Sequence, residues 1–254
     1  MLAELSFVSI CLMMSLIFIL GGLIKGFVGQ GLPTTTIALL SFFVSPLEAI
    51  GLNYLPMLAI NAWQFWKADN KARIARHYAP LALSLICVIA ITAFFARSVG
   101  NQGLAILMGG TIVVFSAISL MGYRLQISQT HDRKWQYATG GAAGLLGGLT
   151  SLWGAPLIMY LLTRPLTPKQ FVDVSGFLLL VGCVPLSVGY YATGLFDVRL
   201  MFLPGLLAIF FGIIGFQLGA LLRPRLNPDL FRTIVLVLFL FMGLRLLLLP
   251  LLAR

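Results

Sequence analysis

The sequence predicts an all-α, polytopic membrane protein with two inverted structural repeats, each with a glycine-rich re-entrant or broken helix pair plus about three to four spanning helices. Three observations predict this fold class. Of the 254 residues, 60% are hydrophobic and 9% are charged, with a mean hydropathy of +1.02, whereas soluble domains carry roughly 25% charged residues. Apolar runs long enough to span a bilayer recur along the chain. Two glycine-rich segments interrupt them with the same spacing.

The apolar runs predict the helices, since crossing a bilayer takes about 20 residues. Spanning runs cover residues 5–24, 47–66, 79–97, 103–122, 171–191, 199–222 and 229–250. Two further segments, 25–45 and 136–163, are too broken by glycine to be simple spans. The first run has no basic start and no cleavage site, which predicts a retained helix rather than a signal peptide.

Basic residues predict the orientation of these helices. They concentrate in the connections 67–77, 124–134, 164–169 and 223–228, which we place on the cytoplasmic side. Each glycine-rich segment must then leave the membrane on the side from which it entered. The net charge of +10 is scattered among the connections, so we expect a lipid bilayer and no nucleic acid as partner.

The glycine spacing of the first half recurs in the second half. The matching glycines are Gly22, Gly26 and Gly29 in the first half, and Gly140, Gly144 and Gly147 in the second. One re-entrant element plus three spans crosses the membrane an odd number of times, so the second unit is inverted relative to the first. We expect the first membrane repeat over residues 1–122 and the second over 123–254, in one integral membrane domain.

These glycines resemble the signature of the TauE/SafE family of sulfite and organosulfonate exporters, also called the toluenesulfonate uptake permease group. The family carries a G-x-x-x-G-x-x-G-x-G-G-G segment followed by a proline, once per half. Gly31 is a fourth match in the first copy, and Pro156 supplies the proline of the second. Leu32 and Pro33 depart from the pattern. The likeness covers nearly the whole chain and implies a transporter of a small sulfur-containing anion, such as sulfite or a sulfonate, in the bacterial cytoplasmic (inner) membrane.

Each break is expected to open a short helix whose free N–H groups and positive dipole end attract an anion. The residues expected to bind substrate there are Lys25, Gln30, Gly31, Thr34, Thr35, Thr36, Thr150, Ser151, Trp153 and Gly154. The alternative is that the glycines only permit tight helix packing and the hydroxyls cap helices. Lys25 has its own alternative, which is snorkelling towards the membrane surface.

The helices after the breaks carry further polar residues. Asn53, Asn61 and Ser175 are expected either to line the site or to join helices by hydrogen bonds. Asp173 either takes up a proton and couples transport to the proton gradient, or stabilises the start of its helix beside Lys169.

Three function classes remain at this point. The first is a secondary transporter that works by alternating access, with the anion held at paired half-helix N-termini near the membrane midplane. The second is an enzyme, which the absence of any catalytic motif argues against. The third is an anion channel or a membrane assembly factor that transports nothing. No cofactor or metal site is expected, and the sequence leaves the oligomeric state open between monomer and homodimer.

Overall fold

A computed structural model describes residues 7–122, 129–194, 198–225 and 227–252, which form helices and turns without a strand. The helices are α1 (Phe7–Val28), α2 (Leu32–Leu40), α3 (Pro46–Trp66), α4 (Lys71–His77), α5 (Ala79–Thr92), α6 (Ala96–Leu120), α7 (Asp132–Thr150), α8 (Gly154–Leu161), α9 (Pro168–Ala192), α10 (Val198–Leu222) and α11 (Pro228–Leu252). Short 3₁₀ turns cover Ala93–Phe95 and Gln129–His131. The predicted all-α class is therefore confirmed.

Most predicted spans match a helix, and two boundaries were wrong. The first helix continues to Val28, four residues past its predicted end, because Gly26 lies inside a regular helix rather than in the break. The helix predicted over 79–97 ends at Thr92. A 3₁₀ turn follows it, and Gly100 in the next helix is non-helical with φ 70° and ψ 167°.

The described part of the chain contains four helical runs long and apolar enough to cross a membrane. They are Ala79–Leu120, Pro168–Ala192, Pro204–Leu222 and Asp229–Leu248, and Leu12–Val28 is a shorter apolar helix. Large apolar side chains such as Leu16, Phe210 and Phe241 are at least 60% exposed. An outer surface of this kind suits lipid rather than water.

Helix α1 packs closely along α10. A Cβ atom at Gly22 or Gly26 would collide with the backbone of α10 at Gly212 and Phe216. Gly215 and Gly219 of α10 lie equally close to the backbone of α1, at Ile19 and Leu23. Small residues four positions apart allow two membrane helices this close approach.

Helix α7 packs on α5 in the same way. A Cβ atom at Gly140 would lie 2.5 Å from the Leu81 carbonyl oxygen, and one at Gly144 would lie 2.7 Å from the Val88 side chain. Four of the six glycines assigned to the breaks therefore lie within helices and permit close helix packing. Gly147 lies in the last turn of α7, where a Cβ would be 2.9 Å from Trp153, and Gly29 lies in the first break itself.

Both glycine-rich segments build the same sequence of elements. A long helix ends, a short break follows, a helix of eight or nine residues begins, and a capped long helix comes next. The N-cap of α3 is Ser45, which forms a capping box with Glu48. The N-cap of α9 is Thr167, which forms one with Gln170. Both capping boxes end a short loop and start a long central helix.

Candidate functional site

The first break contains two glycines in left-handed conformations. Helix α1 ends at Val28, Gly29 and Gly31 have φ of 93° and 104°, and α2 begins at Leu32. Only glycine adopts such φ values without strain. In the second break the left-handed residue is Ser151, with φ of 61°, which costs free energy for a residue with a Cβ. The two breaks thus use different residues for the left-handed step between a long helix and a short one.

Neither short helix has a side-chain cap at its start. The N-cap of α2 is Gly31 and that of α8 is Trp153, and no side chain bonds to the first N–H groups of either helix. The positive dipole ends of both helices are therefore left for another partner. The alternative that the hydroxyls cap these helices is not borne out, because neither helix start has a side-chain cap. Thr35 donates to the Gly31 carbonyl, and Thr150 donates to the Leu146 carbonyl and accepts from the Leu152 N–H, which precedes α8.

The two breaks line one cavity, of about 70 Å³. A Cβ atom at Gly154 would lie 3.5 Å from Gln30 Oε1, so the breaks are in contact across the cavity. Six of the residues predicted at the breaks line it, namely Gln30, Gly31, Thr34, Ser151, Trp153 and Gly154. The sequence repeat thus brings two segments that are distant in the chain to a single place.

The other predicted residues lie outside the cavity lining. These are Lys25, Thr35, Thr36, Thr150, Asn53, Asn61 and Ser175. The Thr36 hydroxyl lies 2.8 Å from the Leu32 carbonyl oxygen and 2.6 Å from Asn53 Oδ1. It joins α2 to α3 and is not available to a ligand.

Two buried donors at the breaks have no hydrogen-bond partner among the described residues. They are Gln30 Nε2 and the indole Nε1 of Trp153. Both side chains line the cavity, and a Cβ at Gly182 of α9 would lie 3.0 Å from the indole nitrogen. Buried donors normally have a partner, and these two nitrogens are left without one among the described residues.

One arginine is part of the described cavity lining, and the sequence around the two breaks does not predict it. Arg232 comes from the first turns of α11 and is half-buried. The sequence places no arginine near either break, but the packing of α11 against α2 brings one to the cavity wall. The described residues give its guanidinium no hydrogen bond or ion pair, so the cavity has a full positive charge at its side.

Much of the remaining lining is apolar. It comes from Ile24, Val28, Phe115, Leu152, Ile158, Leu179, Val235, Leu236 and Phe239. An apolar wall with a few convergent polar groups is typical of a small-molecule site. The polar groups at this site are all hydrogen-bond donors or donor–acceptors, and the described lining includes no carboxylate.

Lys25 is fully buried beside this cavity, so the snorkelling alternative is wrong. Its Nζ donates to Asn61 Oδ1 over 2.7 Å, and Asn61 Nδ2 approaches Cys183 Sγ at 3.8 Å. The contact joins α1, α3 and α9 one turn from the first break. None of the ion pairs among the described residues involves Lys25. A buried lysine without a carboxylate partner is unusual in a membrane helix, and the described residues give it a hydrogen bond to Asn61 instead.

Gln64 holds the first break in place. Its Nε2 donates to the Gly29 carbonyl over 3.1 Å and to the Val172 carbonyl over 2.6 Å. Ser175 Oγ lies 3.3 Å from the same Gly29 carbonyl. The unwound backbone at Gly29 is therefore satisfied by α3 and α9, as non-helical backbone inside a membrane requires.

The described lining of the break cavity does not include Asp173. Its Oδ2 accepts from Lys169 Nζ over 3.1 Å and from the Asp69 backbone N–H over 3.3 Å. It lines a different cavity, between the α3–α4 loop and the start of α9.

Comparison with known proteins gives one match. The model of the sulfite exporter TauE/SafE family matches residues 14–246, nearly the whole chain. No curated protein and no solved structure matches the chain.

Proposed function

We propose that this chain, which belongs to the sulfite exporter TauE/SafE family, is a secondary transporter that carries a small sulfur-containing anion through the cavity between its two breaks. The family and the apolar helices make it a multi-pass integral membrane protein. The observation that carries the proposal is the meeting of two uncapped half-helix N-termini and Arg232 around one cavity. Helix N-termini and guanidinium groups are the usual partners of oxyanions in proteins.

The helix contacts support a twofold internal repeat as the frame of this transporter, and the odd number of crossings predicted from the sequence would make that repeat inverted. Helix α1 of the first half packs on α10 of the second, and α7 of the second half packs on α5 of the first. The equivalent helices α3 and α9 pack on each other, as do α6 and α11. Exchanging the halves therefore reproduces the contacts, as a pseudo-twofold axis between them would.

Contacts at the second glycine-rich segment support a re-entrant hairpin. Asp132 at the start of α7 accepts a hydrogen bond from Tyr160 near the end of α8, over 2.7 Å, and pairs with Arg164 just beyond it, over 3.0 Å. Side chains from the beginning and the end of the segment thus meet. A segment that returns to the side from which it entered has this property.

The lining favours an anion with an apolar end. A sulfonate would place its oxygens at the N–H groups, Thr34 and Arg232, and its carbon substituent against Leu179 and Phe239. The Ser151 hydroxyl is already bonded to the Tyr190 hydroxyl over 3.0 Å. Inorganic sulfite offers nothing to the apolar wall. We therefore infer that small organosulfonates bind more tightly than sulfite.

The described contacts do not favour proton coupling through Asp173. This carboxylate is already paired with Lys169 and lines the other cavity. The simpler mechanism is a transport cycle in which Asp173 does not carry a proton.

The test is flux in liposomes together with binding to the purified protein. Sulfite, thiosulfate, sulfate, taurine and sulfoacetate would be titrated calorimetrically, and the tightest binder loaded into proteoliposomes. A transporter gives saturable uptake that is accelerated by the same anion on the opposite side. Unsaturable conductance would indicate a channel, and binding without flux would overturn the transporter proposal in favour of an assembly role.

A further inference from the structure

A second, larger cavity opens where three of the basic connections meet. Its volume is about 700 Å³, and it shares no lining residue with the cavity at the breaks. Its wall comes from the α3–α4 loop, helix α4, the start of α7, the α8–α9 loop and the start of α9.

The carboxylates of this cavity are already paired. Asp69 and Asp173 both contact Lys169, at 2.5 and 3.1 Å. Asp132 accepts from the Tyr160 hydroxyl at 2.7 Å, from Gln136 Nε2 at 2.9 Å and from Arg164 Nη1 at 3.0 Å. These bonds and the Arg164 charge lower the pKa of Asp132 although burial opposes ionisation. The acids of this cavity are therefore paired with cations, and two guanidinium nitrogens of Arg164 have no hydrogen-bond partner among the described residues.

Arg164 is the buried cation of this cavity. Its side chain is 7% exposed, and its guanidinium carbon lies 4.8 Å from the centre of the Tyr160 ring. Only Nη1 is used, by Asp132. Nε and Nη2 are buried and have no hydrogen-bond partner among the described residues.

The two unpartnered nitrogens of Arg164, Nε and Nη2, indicate which chemical group a ligand would present to them. In a planar guanidinium the Nε–H and one Nη2–H point in the same direction along one edge, and this edge matches two oxygens of a single oxyanion. The strongest arginine–carboxylate pairs are bidentate. Here the bond to Asp132 is made from the other nitrogen, and the bidentate edge is left without a partner.

We propose that Arg164 is the centre of a second anion site, in which its Nε and Nη2 bind two oxygens of a sulfonate or a similar small oxyanion. Thr167, Gln170 and Tyr78 line the same cavity and supply further donors. The site lies on a face of the molecule where basic connections converge, so it receives the anion before or after its passage through the break cavity. The choice of a sulfonate as ligand rests on the proposed function, whereas the oxyanion chemistry of Arg164 does not.

The experiment is calorimetric titration of the purified full chain with methanesulfonate and, separately, with sulfate. The wild type is expected to bind at two sites per chain. Arg164→Lys keeps a cation for Asp132 but loses the paired edge, so the second site should weaken at least about tenfold. Asp132→Asn keeps the edge and removes a nearby negative charge, so the second site should bind equally or more tightly. Arg73→Lys, at an exposed arginine of the same wall, is the matched control and should change nothing.

The outcomes separate this inference from the proposed function. Two unchanged sites in Arg164→Lys would overturn it, as would equal losses in Arg164→Lys and Asp132→Asn, because equal losses mean that the ion pair only holds the fold. A single wild-type site that is lost on Thr34→Ala and untouched by Arg164→Lys would also overturn it while leaving the transporter intact. If the wild type binds at a single site and only Arg164→Lys loses it, the Arg164 site is supported. The break cavity is then not the binding site.

Discussion

Individual hydroxyls at the breaks differ in what they are free to bind. Among the three consecutive threonines of α2, Thr34 lines the cavity, whereas Thr35 and Thr36 bond back to carbonyls of the preceding turn. The sequence predicted a hydroxyl-rich site and could not choose among its members. Which side chain points inwards is decided by the rotation of α2 about its axis, and contacts from distant helices set that rotation.

Replacing Thr34 by alanine should weaken anion binding by about ten- to hundredfold, because one hydrogen bond to a charged ligand contributes roughly 1.5–3 kcal/mol. Calorimetry in detergent measures this loss. Thr35→Ala is the matched control and should bind normally, since its hydroxyl is held by the Gly31 carbonyl at 2.8 Å. Equal losses in both variants would place the effect in the helix rather than at the ligand.

Arg232 is the one charged side chain in the described lining of the break cavity, and it should contribute strongly to anion affinity. Arg232→Gln removes the cation from the wall, and we expect the anion dissociation constant to rise by at least about tenfold. Arg225→Gln removes the same charge from an exposed position near the start of the same helix and should have little effect. If both substitutions weaken binding equally at low salt and neither does at high salt, Arg232 acts only through the general field.

At the scale of helices, glycine has two separate functions in this chain. Gly29 and Gly31 permit the left-handed backbone of a break, whereas Gly22 and Gly26 permit close contact between α1 and α10. Matched spacing in the sequence predicted both segments correctly. It could not separate the two functions, because a glycine that packs and a glycine that turns look alike without the neighbouring helix. For the same reason the sequence did not predict Arg232 as a residue of the cavity, because the packing of α11 brings it there.

Gly26→Ala should destabilise the protein, because the added methyl group would collide with the Phe216 backbone and overpacking costs roughly 1–3 kcal/mol. Thermal unfolding in detergent measures this effect. Gly110→Ala in α6 is the control, since no atom lies within 4 Å of its added Cβ. Its melting temperature should stay equal or rise, as alanine is the better helix former. A normal melting temperature for Gly26→Ala would show that the two helices separate without cost.

For the whole molecule, the charge pattern predicts which side faces the cytoplasm. Three of the basic connections meet around the Arg164 cavity, so they lie on one face, as the orientation requires. The assignment of that face to the cytoplasm is a prediction from the sequence alone.

Single cysteines test this orientation in intact cells, on a background in which Cys11, Cys87 and Cys183 are replaced. Cysteines introduced at Asn70, Gln129 and Asn227 should resist a membrane-impermeant thiol reagent and react after the cells are opened. Labelling of the cysteine at position 129 in intact cells would show that the predicted orientation is wrong. The positive control is Gly194→Cys, in the connection between α9 and α10 on the predicted outer side, which should react in intact cells.

The glycine contact between α1 and α10 has a consequence for how the protein is made. The ribosome delivers α1 long before α10, so the face of α1 that carries Gly22 and Gly26 lacks its α10 partner while the helices between them are synthesised. Helix α5 precedes α7, so the partner of α7 has already been synthesised when α7 emerges. The two halves, alike in their contacts, are therefore assembled on different schedules, and the contact between α1 and α10 forms only after α10 has been inserted.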